Sequence, residues 1–96
     1  MQREINGKTY TFRMTRKGIR AAEKAGMRMS VMPDTPMDAV YYLWYAALYT
    51  EHPMTMGKSD ELLDTYLDSS DCPESFGDIL ESLMDEYTEV FNIAAE

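Results

Sequence analysis

Residues 39–49 read Ala-Val-Tyr-Tyr-Leu-Trp-Tyr-Ala-Ala-Leu-Tyr, a charge-free run in a chain where 27% of residues are charged. A membrane-crossing helix takes about 20 apolar residues, so this run is too short to span a bilayer. Wound into a helix it is apolar or aromatic on every side, and such a helix has to be covered on every side. The run is therefore either the central helix of a small bundle or one side of a protein interface. Ninety-six residues suffice for one modest core, so the chain is expected to form one domain, a hairpin over residues 1–14 followed by a helical bundle over 15–96.

The net charge of −8 conceals a segregation. Residues 1–30 carry eight Lys and Arg against Glu4 and Glu23, a net of +6, while residues 31–96 carry Lys58 against fifteen carboxylates, a net of −14. Three arrangements satisfy this pattern. The halves attract within one chain, the basic half of one copy meets the acidic half of another, or one half faces an outside partner. The last two make Arg13, Arg16, Lys17, Arg20 and Lys24 candidate charge contacts.

Local signals divide the chain. Asn6-Gly7 is a strong signal for a two-residue hairpin turn, and Tyr10 and Phe12 alternate onto one face of the strand that follows. Thr15 is placed to cap a helix over about 16–25, with Gly18, Ile19, Ala21, Ala22 and Ala25 on its small, apolar side and Gly26 as terminator. Gly18 permits close helix packing. Thr35 as N-cap, Pro36 at N1 and Asp38 at N3 start a second helix over about 36–50, ended by His52-Pro53. Thr55 opens a third over about 56–68. A fourth, about 74–94, carries Phe76, Ile79, Leu80, Leu83, Met84, Tyr87, Val90, Phe91 and Ala94 at helical spacing. The expected fold is mainly α, an N-terminal β-hairpin followed by about four helices in a small bundle.

At 100° per residue the second helix has two faces. Met37, Val40, Leu43, Trp44, Ala47 and Leu48 form an aliphatic one, suited to cover by helices three and four. Tyr42, Tyr45 and Tyr49 form the other, with Tyr41 at its border and no obvious internal partner beyond the hairpin. Tyrosine tolerates a half-wet site and is enriched at interfaces. Six of the nine Met lie between Met27 and Met56, and Met adapts to varied apolar partners or fills gaps in a core. The candidate partner-binding residues are thus Met27, Met29, Met32, Tyr41, Tyr42, Tyr45 and Tyr49.

Residue types exclude several chemistries. The single His52 and single Cys72 lie in different loops, which rules out a nucleophilic triad. His52, after a helix end, reads as a cation favoured by the helix dipole, and Cys72 as a small buried residue or cap neighbour. No zinc spacing, calcium loop or glycine-rich phosphate loop occurs, and the Asp-Ser-Leu motif of acyl carriers is absent. No cofactor or metal is expected, and no enzymatic activity. One cysteine and a charged N-terminal segment without an apolar h-region point to the cytoplasm. Two binding functions stay open on the residues alone. One is a nucleic-acid-binding regulator using the basic N-terminal third, disfavoured by fifteen carboxylates in the rest of the same chain. The other is an acidic DNA-mimic inhibitor using helices three and four.

The whole layout resembles a known family. A strand Gly7-Lys-Thr-Tyr-Thr-Phe-Arg13 is followed by the basic helix Lys17-Gly-Ile-Arg-Ala-Ala-Glu-Lys-Ala-Gly26. An aromatic helix then ends Ala47-Leu-Tyr-Thr-Glu-His-Pro53, and acidic amphipathic helices close the chain. This order resembles the small tail assembly chaperones of long-tailed phages and prophages of Gram-positive bacteria. The resemblance implies a non-enzymatic role in virion morphogenesis in the bacterial host cytoplasm. It implies binding of apolar helical segments of the tape measure protein, and self-association, with no membrane partner.

Overall fold

The computed structural model describes residues 1–28, 34–69 and 72–95, the side chains as far as Val90. It is mainly helical with an N-terminal hairpin. Strands β1 (Gln2–Ile5) and β2 (Lys8–Thr11) pair antiparallel, Arg3 opposite Tyr10 and Ile5 opposite Lys8. The turn has positive φ at both Asn6 and Gly7, as a type I′ hairpin requires. Helix α1 spans Arg16–Ala25, α2 Pro36–Tyr49, α3 Met56–Asp68 and α4 Phe76–Ala95.

The starts of α1, α3 and α4 follow their capping chemistry, whereas Thr35, the expected cap of α2, makes no side-chain capping bond to that helix. Thr15 Oγ1 accepts from the Gly18 N–H at 3.0 Å, and Thr55 Oγ1 from the Lys58 N–H at 3.2 Å. Helix α1 stops at Gly26, whose φ of 125° suits glycine. There the N–H groups of Gly26 and Met27 return to the carbonyls of Glu23 and Ala22 in the Schellman pattern. Helix α4 begins at Phe76 rather than at residue 74 as expected. Ser75 and Asp78 form a reciprocal box, each side chain accepting from the other's backbone N–H.

Helix α2 is the axis of the molecule. Ala39, Val40, Leu43, Trp44, Tyr45, Ala46, Ala47 and Leu48 are all buried in it. Helices α3 and α4 cover one side and α1 the other. Gly18 of α1 sits directly against the Ala46 carbonyl of α2, so close that a side chain there has no room. The Arg13 N–H donates to the Ala47 carbonyl at 2.8 Å, and the Thr15 and Thr50 hydroxyls meet at 2.6 Å. These bonds pin the β2–α1 connection along α2. Small residues at Gly18, Ala22, Ala46 and Ala47 let the two backbones approach, and the cover of α2 depends on that approach.

Two elements depart from the sequence reading. Met37, assigned to the aliphatic face, is 61% exposed, because it lies in the first turn of α2 outside the covered stretch. Arg3, one of the eight cations of residues 1–30, is buried. Strand alternation puts it on the inward face with Ile5. Its guanidinium lies over the rings of Phe12 and Trp44, 4.6 and 5.5 Å from their centroids.

Candidate functional site

The Arg3 guanidinium makes a two-point ion pair with Glu74, Nε to Oε1 at 2.7 Å and Nη2 to Oε2 at 3.1 Å. The Tyr66 hydroxyl donates to the same Glu74 Oε1 at 2.7 Å. Burial pushes the Glu74 carboxyl up, but the hydrogen bonds from Arg3 and Tyr66 and the charge of Arg3 together bring it below its ordinary value. Burial and the bond to Glu74 push the Tyr66 phenol up. This network ties the hairpin to α3 and to the lead-in of α4. It is also where the two charge halves meet inside the chain, along with a long Arg13–Glu51 surface pair at 4.0 Å.

His52 is tied to the hairpin rather than only to the end of α2. Its Nε2 accepts the Thr11 N–H at 3.0 Å, and the imidazole packs edge-on to Tyr10. It therefore caps the hairpin edge. Cys72 lies half-buried with its thiol on the Glu74 carbonyl, a cap neighbour as expected. Among the described residues, no group of His, Cys, Asp and Glu is placed to hold a metal ion. None of the helices, over the same residues, is long and apolar enough to cross a membrane.

The candidate partner-binding residues separate into core and surface. Met27 is 1% exposed and Tyr45 7% exposed. Both are core residues, which corrects their assignment to a partner surface. The reason is α1, which covers the tyrosine side of α2 that seemed to lack an internal partner. Met29 and Met32 lie outside the described residues. Tyr41, Tyr42 and Tyr49 remain half-buried, and they open onto two different depressions.

The first depression lies between α2 and α3. Tyr41, Tyr42 and Met56 supply its apolar part and Asp38, Asp60 and Asp64 its polar part, around a concavity of about 350 Å³. No Lys or Arg lines it. The Tyr41 hydroxyl donates to Asp64. That bond, burial and the neighbouring carboxylates push the phenol up to about 12. Burial and the charges of Asp64 and Asp38 push the Asp60 carboxyl up as well, and its Oδ1 is buried without a hydrogen-bond partner among the described residues. The site therefore holds crowded negative charge beside an aromatic floor.

The second depression, about 420 Å³, runs along α1 and is lined by Arg16, Lys17, Arg20, Ala21, Lys24 and Tyr49. Arg16, Lys17, Arg20 and Lys24 are exposed, and none makes an ion pair among the described residues. The structure thus brings these four together with Tyr49, as the sequence reading grouped them by charge. Arg13 is set apart beside Glu51. The reading missed Asp38, Met56, Asp60 and Asp64 as site residues. Asp38 is exposed in the first turn of α2 and Asp60 half-buried on α3, and only the packing of α2 on α3 brings them around one concavity.

The hairpin is thus braced across four helices, and the described surface carries an acidic depression between α2 and α3 and a basic one along α1. The chain belongs to the DUF5055 family, described as a domain of unknown function, whose family model matches residues 1–94. No curated protein and no solved structure shows significant similarity to it.

Proposed function

We propose that the chain is a non-enzymatic tail assembly chaperone of a phage or prophage. It binds apolar helical segments of the tape measure protein in the bacterial host cytoplasm during tail morphogenesis. The observation that carries this reading is the depression between α2 and α3, where half-buried Tyr41 and Tyr42 stand with Met56 among Asp38, Asp60 and Asp64. A helix offering an apolar stripe fits such an aromatic and methionine floor. A Lys or Arg flanking that stripe offsets the negative charge that Asp38, Asp60 and Asp64 gather there. The partner is thus an amphipathic helical segment with basic residues beside its apolar face. The order of elements, similar to that of the tail assembly chaperones, supports the same reading.

Co-expression with the tape measure protein tests it. The chain is expected to raise the soluble fraction of that protein, and an unchanged fraction removes the reading. A second reading, a nucleic-acid-binding regulator, is favoured by the unpaired basic residues of α1. It predicts a salt-dependent mobility shift with DNA or RNA, and absence of a shift at low salt removes it.

A further inference from the structure

The α1 depression has a complement elsewhere on the same molecule. Lys17, Arg20 and Lys24 are spaced three and then four residues apart, so they form one stripe about 10 Å long on α1. The stripe faces away from the core, opposite the buried line of Gly18, Ile19 and Ala22. On α4, Asp78, Glu81 and Asp85 repeat the same three-then-four spacing, opposite the buried Ile79, Leu83 and Tyr87. All six side chains are exposed, and none makes an ion pair among the described residues. The α4 sequence from Phe76 to Ala95 contains no Lys or Arg, so nothing on the helix itself neutralises the acidic stripe. On α3 the corresponding acidic positions are compromised, since Lys58 lies one turn from Glu61 and Asp64 is engaged by Tyr41.

We propose that the Lys17/Arg20/Lys24 depression of one copy seats the Asp78/Glu81/Asp85 ridge of a second copy, α1 against α4. The charges are opposite, the spacing is the same, and a convex helix meets a concavity that Tyr49 floors. Both stripes point outward on their own chain, so they meet between copies and not within one. The contact joins two different surfaces, so it is heterologous. It leaves a free α1 and a free α4 at the two ends, and growth continues into a ring or an open filament. Because its charges are solvent-exposed, it weakens as salt rises. Self-association is among what the resemblance to tail assembly chaperones implies, but this contact is argued from the two charge stripes, and a monomer can still shield a tape measure helix in the α2–α3 depression, so the two readings fail separately.

The test is sedimentation velocity of the purified chain at about 0.01 M and about 1 M salt, where the screening length falls from about 30 Å to about 3 Å. The wild type is expected to associate with rising concentration at low salt and to dissociate at high salt. Arg20→Glu/Lys24→Glu alone and Glu81→Lys/Asp85→Lys alone are each expected to weaken association at least about tenfold, because like charges then face each other. An equimolar mixture of the two variants is expected to associate again, because each reversed stripe now finds its opposite on the other variant. Asp78 is left unchanged because its carboxylate accepts the Ser75 N–H at the start of α4. If a reversal variant does not fold, Arg20→Gln/Lys24→Gln and Glu81→Gln/Asp85→Gln take its place. Each is then expected to associate more weakly than wild type, and unchanged association overturns the proposal. A wild type that stays monomeric at low salt overturns it, as does a mixture that stays monomeric. A monomeric wild type that binds a DNA oligonucleotide, lost in Arg20→Glu/Lys24→Glu, assigns the stripe to nucleic acid instead.

Discussion

Replacing Gly18 with Ala adds one methyl group to a helix that ordinarily prefers it. In an exposed helix interior, Ala is favoured over Gly by about 1 kcal/mol. At this position the new Cβ would lie 2.0 Å from the Ala46 carbonyl oxygen and 3.0 Å from its carbon. An ordinary contact begins near 3.4 Å, so α1 has to retreat from α2 by roughly 1.4 Å. The obstacle is backbone and cannot rotate aside. Retreat also loosens Ile19 and Ala22, which are buried against the same groove, and strains the Arg13–Ala47 and Thr15–Thr50 bonds. Overpacking of this kind costs about 1–3 kcal/mol, and a rigid obstacle puts it near the upper end. After the helix preference is subtracted, Gly18→Ala is expected to lose about 2 kcal/mol, or about 8–16 °C in Tm for a domain of this size. Gly57→Ala is the internal control. It also lies in a helix, with nothing within 4 Å of its added Cβ, and it is expected to gain about 0.4–1 kcal/mol. Urea titration followed by the emission of buried Trp44 reads both. A Gly18→Ala chain as stable as wild type would refute the close α1–α2 approach on which the cover of α2 rests.

The Arg3–Glu74–Tyr66 network gives a pH signature. A carboxyl whose folded pKa is lowered contributes stability that is present above its unfolded pKa and is lost as pH falls through the folded value. Glu74→Gln is thus expected to cost about 3 kcal/mol at neutral pH, since it leaves Arg3 buried without its counter-charge. The difference from wild type should narrow on acidification, and a pH-independent difference would count against the network. Glu86 has the opposite sign, because burial raises its pKa and its Oε2 is buried without a hydrogen-bond partner among the described residues. Its contribution is present at low pH and lost as pH rises through the raised value. Glu86→Gln is therefore expected to gain about 1 kcal/mol at pH 7 and little in acid, read by the same titration. Tyr45→Glu, which buries a carboxylate beside Tyr49, is expected to cost about 3 kcal/mol or more and to melt the fold by circular dichroism. A stable, folded Tyr45→Glu monomer would place that side chain at the surface instead.

Much of the architecture is legible in local chemistry. Asn6-Gly7, Thr15, Gly26, Pro36, His52-Pro53 and Thr55 each act through backbone geometry or a bond within a few residues, so their positions mark element ends directly. The charge-free α2 also announces that it must be covered. What covers each face is harder to read, because it depends on which helices approach, and α1 looks too basic to be the cover. Its narrow line of Gly18, Ile19 and Ala22 suffices, since small residues bring the backbones together. Arg3 illustrates a signal that was available. Strand alternation places it inward with Ile5, yet a cation on a strand is ordinarily assigned to solvent unless its counter-ion is known. That counter-ion, Glu74, lies 71 residues away. Likewise, Ser75 and Asp78 carry the spacing of a capping box, which sets the start of α4 two residues later than the acidic run suggests. The α2–α3 depression was half legible. Its tyrosines stood out, whereas its carboxylates became site residues only through the packing of two helices.

The central claim is that the Tyr41/Tyr42/Met56 depression holds an apolar helical segment of the tape measure protein. The most direct measurement is the soluble fraction of that protein when it is co-expressed with the wild-type chain, with a Tyr42→Ser/Met56→Ser variant, or alone. Both substituted side chains are half-buried at the rim of the core, so the variant is checked for a wild-type circular dichroism spectrum before use. The account predicts a large soluble fraction with wild type and a fraction close to that of the protein alone with the folded variant. Equal solubility in all three cases, or full rescue by the variant, would contradict it.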